Sequence, residues 1–518
     1  MATTSVMGAA GLTAVLLLAS LASVASAGDA PVFHYHTRHI PREHLERGRP
    51  LAIVTERNGL CDVLDGEKIG SLKDLGIDTV ELRLTWWEAE PEPGKFDFSR
   101  FERDLKKVEA AGLKAGLMAW FNHPPAWYTG GTRFKCLVHG KETTTLSPFD
   151  PETIRCFDRL YREVASRFGD RIDFVYVCGS GDFGEPVPPQ GVNHYKFSSP
   201  HSHVGSVTWL GDRFARAAWA KVSPLSPEEV IKSGDRATRL RLIDFLADRT
   251  ADFMGEVFAV VRRHFPNARY GVPIGHLSDF TAGQNRPRVI KAMCRVSHDF
   301  TARWTGMAHL GEFGKSNVMA NRVSSATRFY GCRFGEEAAS YLSGENAANA
   351  VYEAMANGST MMHNDYGNIL RSGKANIDRA KRSYVGEPKT DVALLWPDID
   401  ERLDAVAHPD GSGRSIAEFV PKAAELRRRT NYEICDTGMI LDGFLERRGI
   451  ATLAAVTPIP PETEAALAGF RARGGKVVDL SFFPQAKEDA VVYRTGFTDG
   501  KVVEYVPSTG TIRQRSDR

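Results

Sequence analysis

No two cysteines in this chain stand at C-x-x-C spacing; the seven thiols are scattered at positions 61, 136, 156, 178, 294, 332 and 435. That scatter excludes the usual zinc cluster; export would permit disulfides, but the spacing does not say which thiols pair. Neither sign of charge is in excess, with 66 Lys and Arg against 64 Asp and Glu and a formal net charge of +2. A polybasic face is therefore missing, and nucleic acid is not an implied partner. Charge is absent altogether from the first 27 residues, where the run LTAVLLLASLASVA ends in Ala25-Ser26-Ala27. The small-x-small ending reads as a signal-peptidase site and predicts export to the periplasm or outside the cell. No Lys or Arg precedes the apolar run, so an uncleaved membrane anchor is the alternative. Beyond it, no stretch is long and apolar enough to span a bilayer.

What remains is an ordinary globular composition, 42% hydrophobic and 25% charged, arranged in one rhythm. A short apolar run is followed by a turn and then by an amphipathic segment of ten or more residues, the mark of βα units around a parallel sheet. Candidate strands lie at 51–55, 78–84, 113–120, 172–177, 268–274, 305–310, 327–334 and 359–364. Between them run helical patterns such as FSRFERDLKKVEAAG, with Phe98, Phe101, Leu105 and Val108 on one face. Eight such strands predict an α/β fold, a (β/α)8 TIM barrel over residues 51–385 behind a lead-in at 28–50. A second rhythm over 388–485 (VALLWP, YEICDTG, IATLAAV, KVVDL) predicts a smaller open α/β sheet, and 486–518 a short C-terminal β segment. The Arg427-Arg428-Arg429 run reads as a solvated helix face.

A barrel of this kind gathers its chemistry where the C-terminal strand ends converge. There the chain places SGDFGE, with Asp182 and Glu185, after the fourth strand, and Glu336-Glu337 after the seventh. Opposed carboxylates are what glycoside hydrolysis requires, one to protonate the leaving oxygen and one to attack or stabilise the anomeric carbon. Flat side chains cluster at the same ends: Trp86, Trp87, Trp120, Phe121, Trp127, Tyr128, Trp209, Trp304 and Tyr366. Such faces suit the C–H faces of a pyranose, while Arg83, Asn122, His123, Asn364 and Asp365 can hydrogen-bond its hydroxyls. The loop from 186 to 234 holds His194, His201 and His203, but His-x-His without a third ligand does not make a metal site, and neither metal nor cofactor is expected.

The stretch LTWWEAEPEPGKFDFSRFERDLKKVEAAGLKAGLMAWFNHPPAWY resembles the second and third βα units of clan A glycoside hydrolases, most closely the family 42 β-galactosidases, in its Pro-Pro-Ala-Trp block above all. The second rhythm looks like that family's flavodoxin-like trimerisation domain. The resemblance implies an exo-acting, retaining hydrolase of β-galactosides or related β-linked sugars in oligosaccharides, assembled as a homotrimer. It also implies an acid/base after strand four, a nucleophile after strand seven, and Trp127 and His123 beside the sugar. The chain departs from the family's Asn-Glu at the acid; its Gly-x-x-Gly-Glu is similar to the acid loop of family 14 β-amylases. This favours Glu185 over Asp182 as acid/base. Glu337-Ala338-Ala339 fits the family's nucleophile slot better than Glu336 does, and Glu336 stays as the alternative. Two rival functions follow, an inverting β-amylase-like hydrolase of α-glucans and a non-catalytic carbohydrate-binding barrel.

Overall fold

Strand β2 (Thr79–Thr85) shows how the sequence builds the barrel. Val80, Leu82 and Leu84 belong to the core shared with the outer helices. Alternation then turns Thr79, Glu81, Arg83 and Thr85 to the lumen. The same parity runs through β3 (Lys114–Trp120), where Ala115, Leu117 and Ala119 face the helices and Gly116, Met118 and Trp120 face inward. A computed structural model gives the architecture and describes residues 32–36, 72–74, 77–137, 140–181, 184–188, 206–275, 279, 283–305, 314–338, 349, 352–365, 389–409, 414–485, 491–494, 502–506 and 511–515.

A closed parallel barrel is formed by β1 (Val32–His36), β2, β3, β6 (Ile172–Tyr176), β7 (Arg269–Ile274), β8 (Thr301–Thr305), β9 (Arg333–Ala338) and β10 (Met361–Asp365), with β10 pairing back to β1. A two-stranded antiparallel excursion, β4 (Arg133–Lys135) with β5 (Glu142–Leu146), interrupts the third βα connection.

Four expectations are corrected. The first barrel strand is β1, inside the segment read as a lead-in, and 51–55 lies outside the described residues. The sixth strand is TARWT at 301–305, whose alternating lumen residues made it less apolar than the run chosen after it. Residues 327–330 close the helix Lys315–Tyr330, because Gly331, at φ 92°, caps it in the left-handed region. The seventh strand thus begins at Arg333, and Glu336-Glu337 lie within it rather than after it. Finally, the stretch expected to be a loop up to 234 contains helices Arg213–Trp219 and Pro227–Ser233, started by the side chains of Asp212 and Ser226.

After the barrel, β11 (Val392–Leu395), β12 (Glu433–Cys435), β13 (Thr452–Ala454) and β14 (Lys476–Val478) form a parallel sheet ordered β12-β11-β13-β14. The last strands, β15 (Val491–Arg494), β16 (Val502–Val506) and β17 (Thr511–Arg515), pair antiparallel. Apolar side chains from the barrel helices and from the second sheet belong to one continuous core. Through it runs a buried ion network: Asp279 pairs with Arg286 and Arg322, Arg322 with Asp436 at 2.6 Å, and Glu401 accepts from the Asp279 amide and from Trp396 Nε1. Arg427 is not on a solvated face; it is fully buried and pairs with Glu353 at 3.0 Å.

Candidate active site

The lumen carries charge where most barrels carry aliphatic side chains. Arg83 lies 3.6 Å from Glu81, stacks its guanidinium 3.8 Å from the centre of the Trp120 ring, and places Nη2 3.2 Å from Met118 Sδ. Across the lumen Arg303, alternating with the helix-facing Ala302 and Trp304, pairs with Glu337 and lies 5.1 Å over Tyr176. Burial alone would depress the Arg303 guanidinium, yet it is raised, because the carboxylate of Glu337 above all holds it charged. The Tyr176 hydroxyl and the Cys178 thiol are pushed up, chiefly by burial.

Alternation separates the two strand-seven acids. A Cβ at Gly335 would meet Thr301 and Met361, and Glu337 shares that lumen parity; Phe334 packs in the helix-facing core, and Glu336 shares its face. Glu336 is buried, its Oε2 has no hydrogen-bond partner among the described residues, and its carboxyl is pushed well up by burial first and then by Glu337. Of the two, only Glu337 faces the lumen, where it pairs with Arg303.

Glu185 is buried on a tight loop after β6. Gly184 is left-handed at φ 84°, and a Cβ there would meet Cys178 Cβ at 2.6 Å and Sγ at 2.8 Å. The Glu185 carbonyl accepts from the amides of Gly181 and Val187, both at 2.8 Å. The glycines of SGDFGE therefore let the chain fold back on Cys178 and set an acid in the mouth. Asp182 lies outside the described residues, as do Tyr366 and the side chains of Asn364 and Asp365 on β10.

Beside this loop Asn122 and His123 are buried, with His123 Nε2 3.2 Å from Asn122 Nδ2 and Nδ1 3.4 Å from Thr145 Oγ1. Trp127 is half-buried, donates to Glu90 O at 3.0 Å and sets its ring edge-on to Trp86. Trp87 is buried on the short helix after β2. Two expected sugar ligands are placed elsewhere. Trp304 packs in the core between sheet and helices, and Trp209 packs with Phe134 and Cys136 in a small separate core. Both were read from nearness to a strand end, which ignores the face a side chain takes. Arg303, Glu81 and Tyr176 were missed, although charges two apart in the apolar TVELRL already marked a polar lumen. Among the described residues, no cluster of three or more His, Cys, Asp or Glu could hold a metal ion, and no helix is long and apolar enough to cross a membrane.

The sequence model of the family described as β-galactosidase, glycoside hydrolase family 42, matches residues 64–176, which run through β2, β3 and β6. No curated protein is significantly similar to the chain. In fold the chain is similar to the β-galactosidase from Rahnella sp. R3, with a TM-score of 0.60 and 10% identity over 87% of this chain and 71% of that one. A family 42 β-galactosidase from G. stearothermophilus gives 0.56 and 13%, over 95% and 79%. The β-amylase catalytic domain from Paenibacillus polymyxa gives 0.51 and 16%, over 69% and 98%. The chain therefore has the α/β barrel architecture of these hydrolases and, over residues 64–176, resembles family 42 β-galactosidases in sequence as well.

Proposed function

We propose that the chain is an exported, retaining glycoside hydrolase that removes terminal β-galactosyl or related β-linked sugars from oligosaccharides. Glu185 serves as acid/base and Glu337 as nucleophile. The observation that carries this reading is the pairing of Glu337 with the buried Arg303 guanidinium in the lumen, beside a tight loop after β6 that buries Glu185. Arg303 keeps Glu337 ionised for attack on the anomeric carbon, while the negative nucleophile favours the proton on Glu185 until the leaving oxygen takes it. Once the leaving group has gone, Glu185 accepts a proton from the water that cleaves the glycosyl-enzyme.

Glu185→Ala tests the assignment. Substrates with poor leaving groups should slow by roughly 10²-fold or more, while activated aryl glycosides, which depart without a proton, are spared. Azide should rescue this variant and yield the β-glycosyl azide, since a small anion fits where the carboxylate stood. If Asp182→Ala carries that leaving-group dependence instead, Glu185 is not the acid. A second reading, inversion by a β-amylase-like mechanism, is favoured by the Gly-x-x-Gly-Glu loop and by the span of the β-amylase match, 98% of that domain. The anomer first released, followed by NMR, separates the two: retained for the first reading, inverted for the second.

We extend the proposal to a homotrimer, on the likeness of the sequence over 388–485 to the family's trimerisation domain. Light scattering that gives a monomer mass at micromolar concentration would refute this.

A further inference from the structure

We infer that Asn122 is a positioning residue for Glu185, acting through the main chain of the acid-bearing loop rather than as a ligand of sugar hydroxyls. The catalytic consequence rests on the glycosidase reading above; the positioning itself does not. Asn122 follows β3 on the lumen parity and is buried. Its Nδ2 lies 2.9 Å from the carbonyl of Ser180 and 2.9 Å from that of Gly181, nearer than the 3.2 Å to His123 Nε2. A carboxamide has two N–H groups, and carbonyls can only accept, so the two nearer acceptors take both.

Those two carbonyls are the hinge of the loop. The Gly181 amide closes the turn on the Glu185 carbonyl at 2.8 Å, and the Ser180 hydroxyl braces the far side by donating to Val187 O at 2.7 Å. Gly184 holds the loop to the end of β6, its carbonyl accepting from the Gly179 amide at 2.8 Å and its amide donating to Gly181 O at 3.1 Å. Asn122 thus ties the strand-three end to the loop that carries the acid. A buried amide whose donors are spent on main-chain oxygens has no hydrogen left for a sugar. Only its Oδ1, which meets no donor among the described residues, remains open to a ligand.

The test uses the full chain with Asn122→Ala and Asn122→Asp, whose carboxylate repels the two carbonyls. Turnover is measured on β-galactosides with leaving groups from 2,4-dinitrophenol to methanol, and hydrogen exchange is followed by mass spectrometry over residues 178–187. We expect kcat for the poor leaving groups to fall roughly 10²-fold with KM little changed. The dinitrophenyl substrate should be nearly spared, and the Gly181 and Val187 amides should exchange faster. A rise in KM shared by all aglycones, with unchanged exchange, would make Asn122 a sugar ligand and overturn the inference. If the wild type cleaves no glycoside, the functional reading falls and exchange alone decides: protection lost in Asn122→Ala supports the positioning role, protection kept refutes it. Should Asn122→Ala fail to fold, Asn122→Asp, which keeps the side-chain volume and loses both donors, is read in the same two ways.

Discussion

At the scale of single residues, two carboxylates adjacent in sequence have opposite environments. Glu337 meets a guanidinium in the lumen; Glu336, one residue back, meets apolar packing and takes the high pKa of a buried acid. Trp127 is the residue whose role is most open to measurement. Its half-buried ring leans edge-on against Trp86 and Tyr128, and its N–H is spent on Glu90 O, so the indole is held in place with part of its surface free. Trp127→Ala should weaken sugar binding by about 1–3 kcal/mol, read as inhibitor Kd or KM, and leave a cooperative thermal transition. Collapse of that transition without a separable binding defect would make the ring a core element only.

At the scale of elements, the acid loop depends on a backbone shape that few residues adopt. Gly184→Ala places a Cβ on a left-handed residue and drives it into Cys178. The two effects should together destabilise by about 1–3 kcal/mol in urea unfolding and displace the acid, so activity on poor leaving groups falls as well. Cys178→Ala in the same chain removes the Sγ overlap but not the Cβ overlap, and should recover only part of the loss. Full recovery would mean that the left-handed backbone costs nothing here.

For the whole molecule, the buried network between barrel and second sheet sets a pH dependence. Three acids, Asp279, Asp436 and Glu401, face two arginines, Arg286 and Arg322. Arg322 outweighs burial at Asp436 and lowers it, whereas burial, and after it the charge of Asp279, pushes the Glu401 carboxyl up to about 8. In the unfolded chain that group ionises near its ordinary value of about 4.3. Its contribution to stability is therefore intact below that value and is lost as pH rises to about 8, at up to roughly 1.4 kcal/mol per pH unit. Denaturant midpoints at pH 5, 6.5 and 8 should fall in that order. Glu401→Gln, which cannot ionise, should flatten the slope; an unchanged slope would place the titration elsewhere.

The sequence alone determined the alternation of strands and helices, a second open sheet, and acids near the ends of strands four and seven, because apolar spacing and glycine-rich turns are local signals; the first barrel strand, at 32–36, lies in the segment read as a lead-in. It also exposed the acid loop, since SGDFGE is too rich in glycine to be an ordinary helix start. The strand boundaries at 301–305 and 333–338 were harder, because lumen charges dilute the apolar run and Gly331 ends a helix only through its conformation. Which face each side chain takes was decided by tertiary structure alone. A strand buried on both sides reads as polar or apolar without saying which layer is inside. Arg303 pairing with Glu337, Trp304 turned into the core, and Asn122 bound to the main chain of Ser180 and Gly181 are contacts between distant strands, and no spacing within one of them encodes the partner.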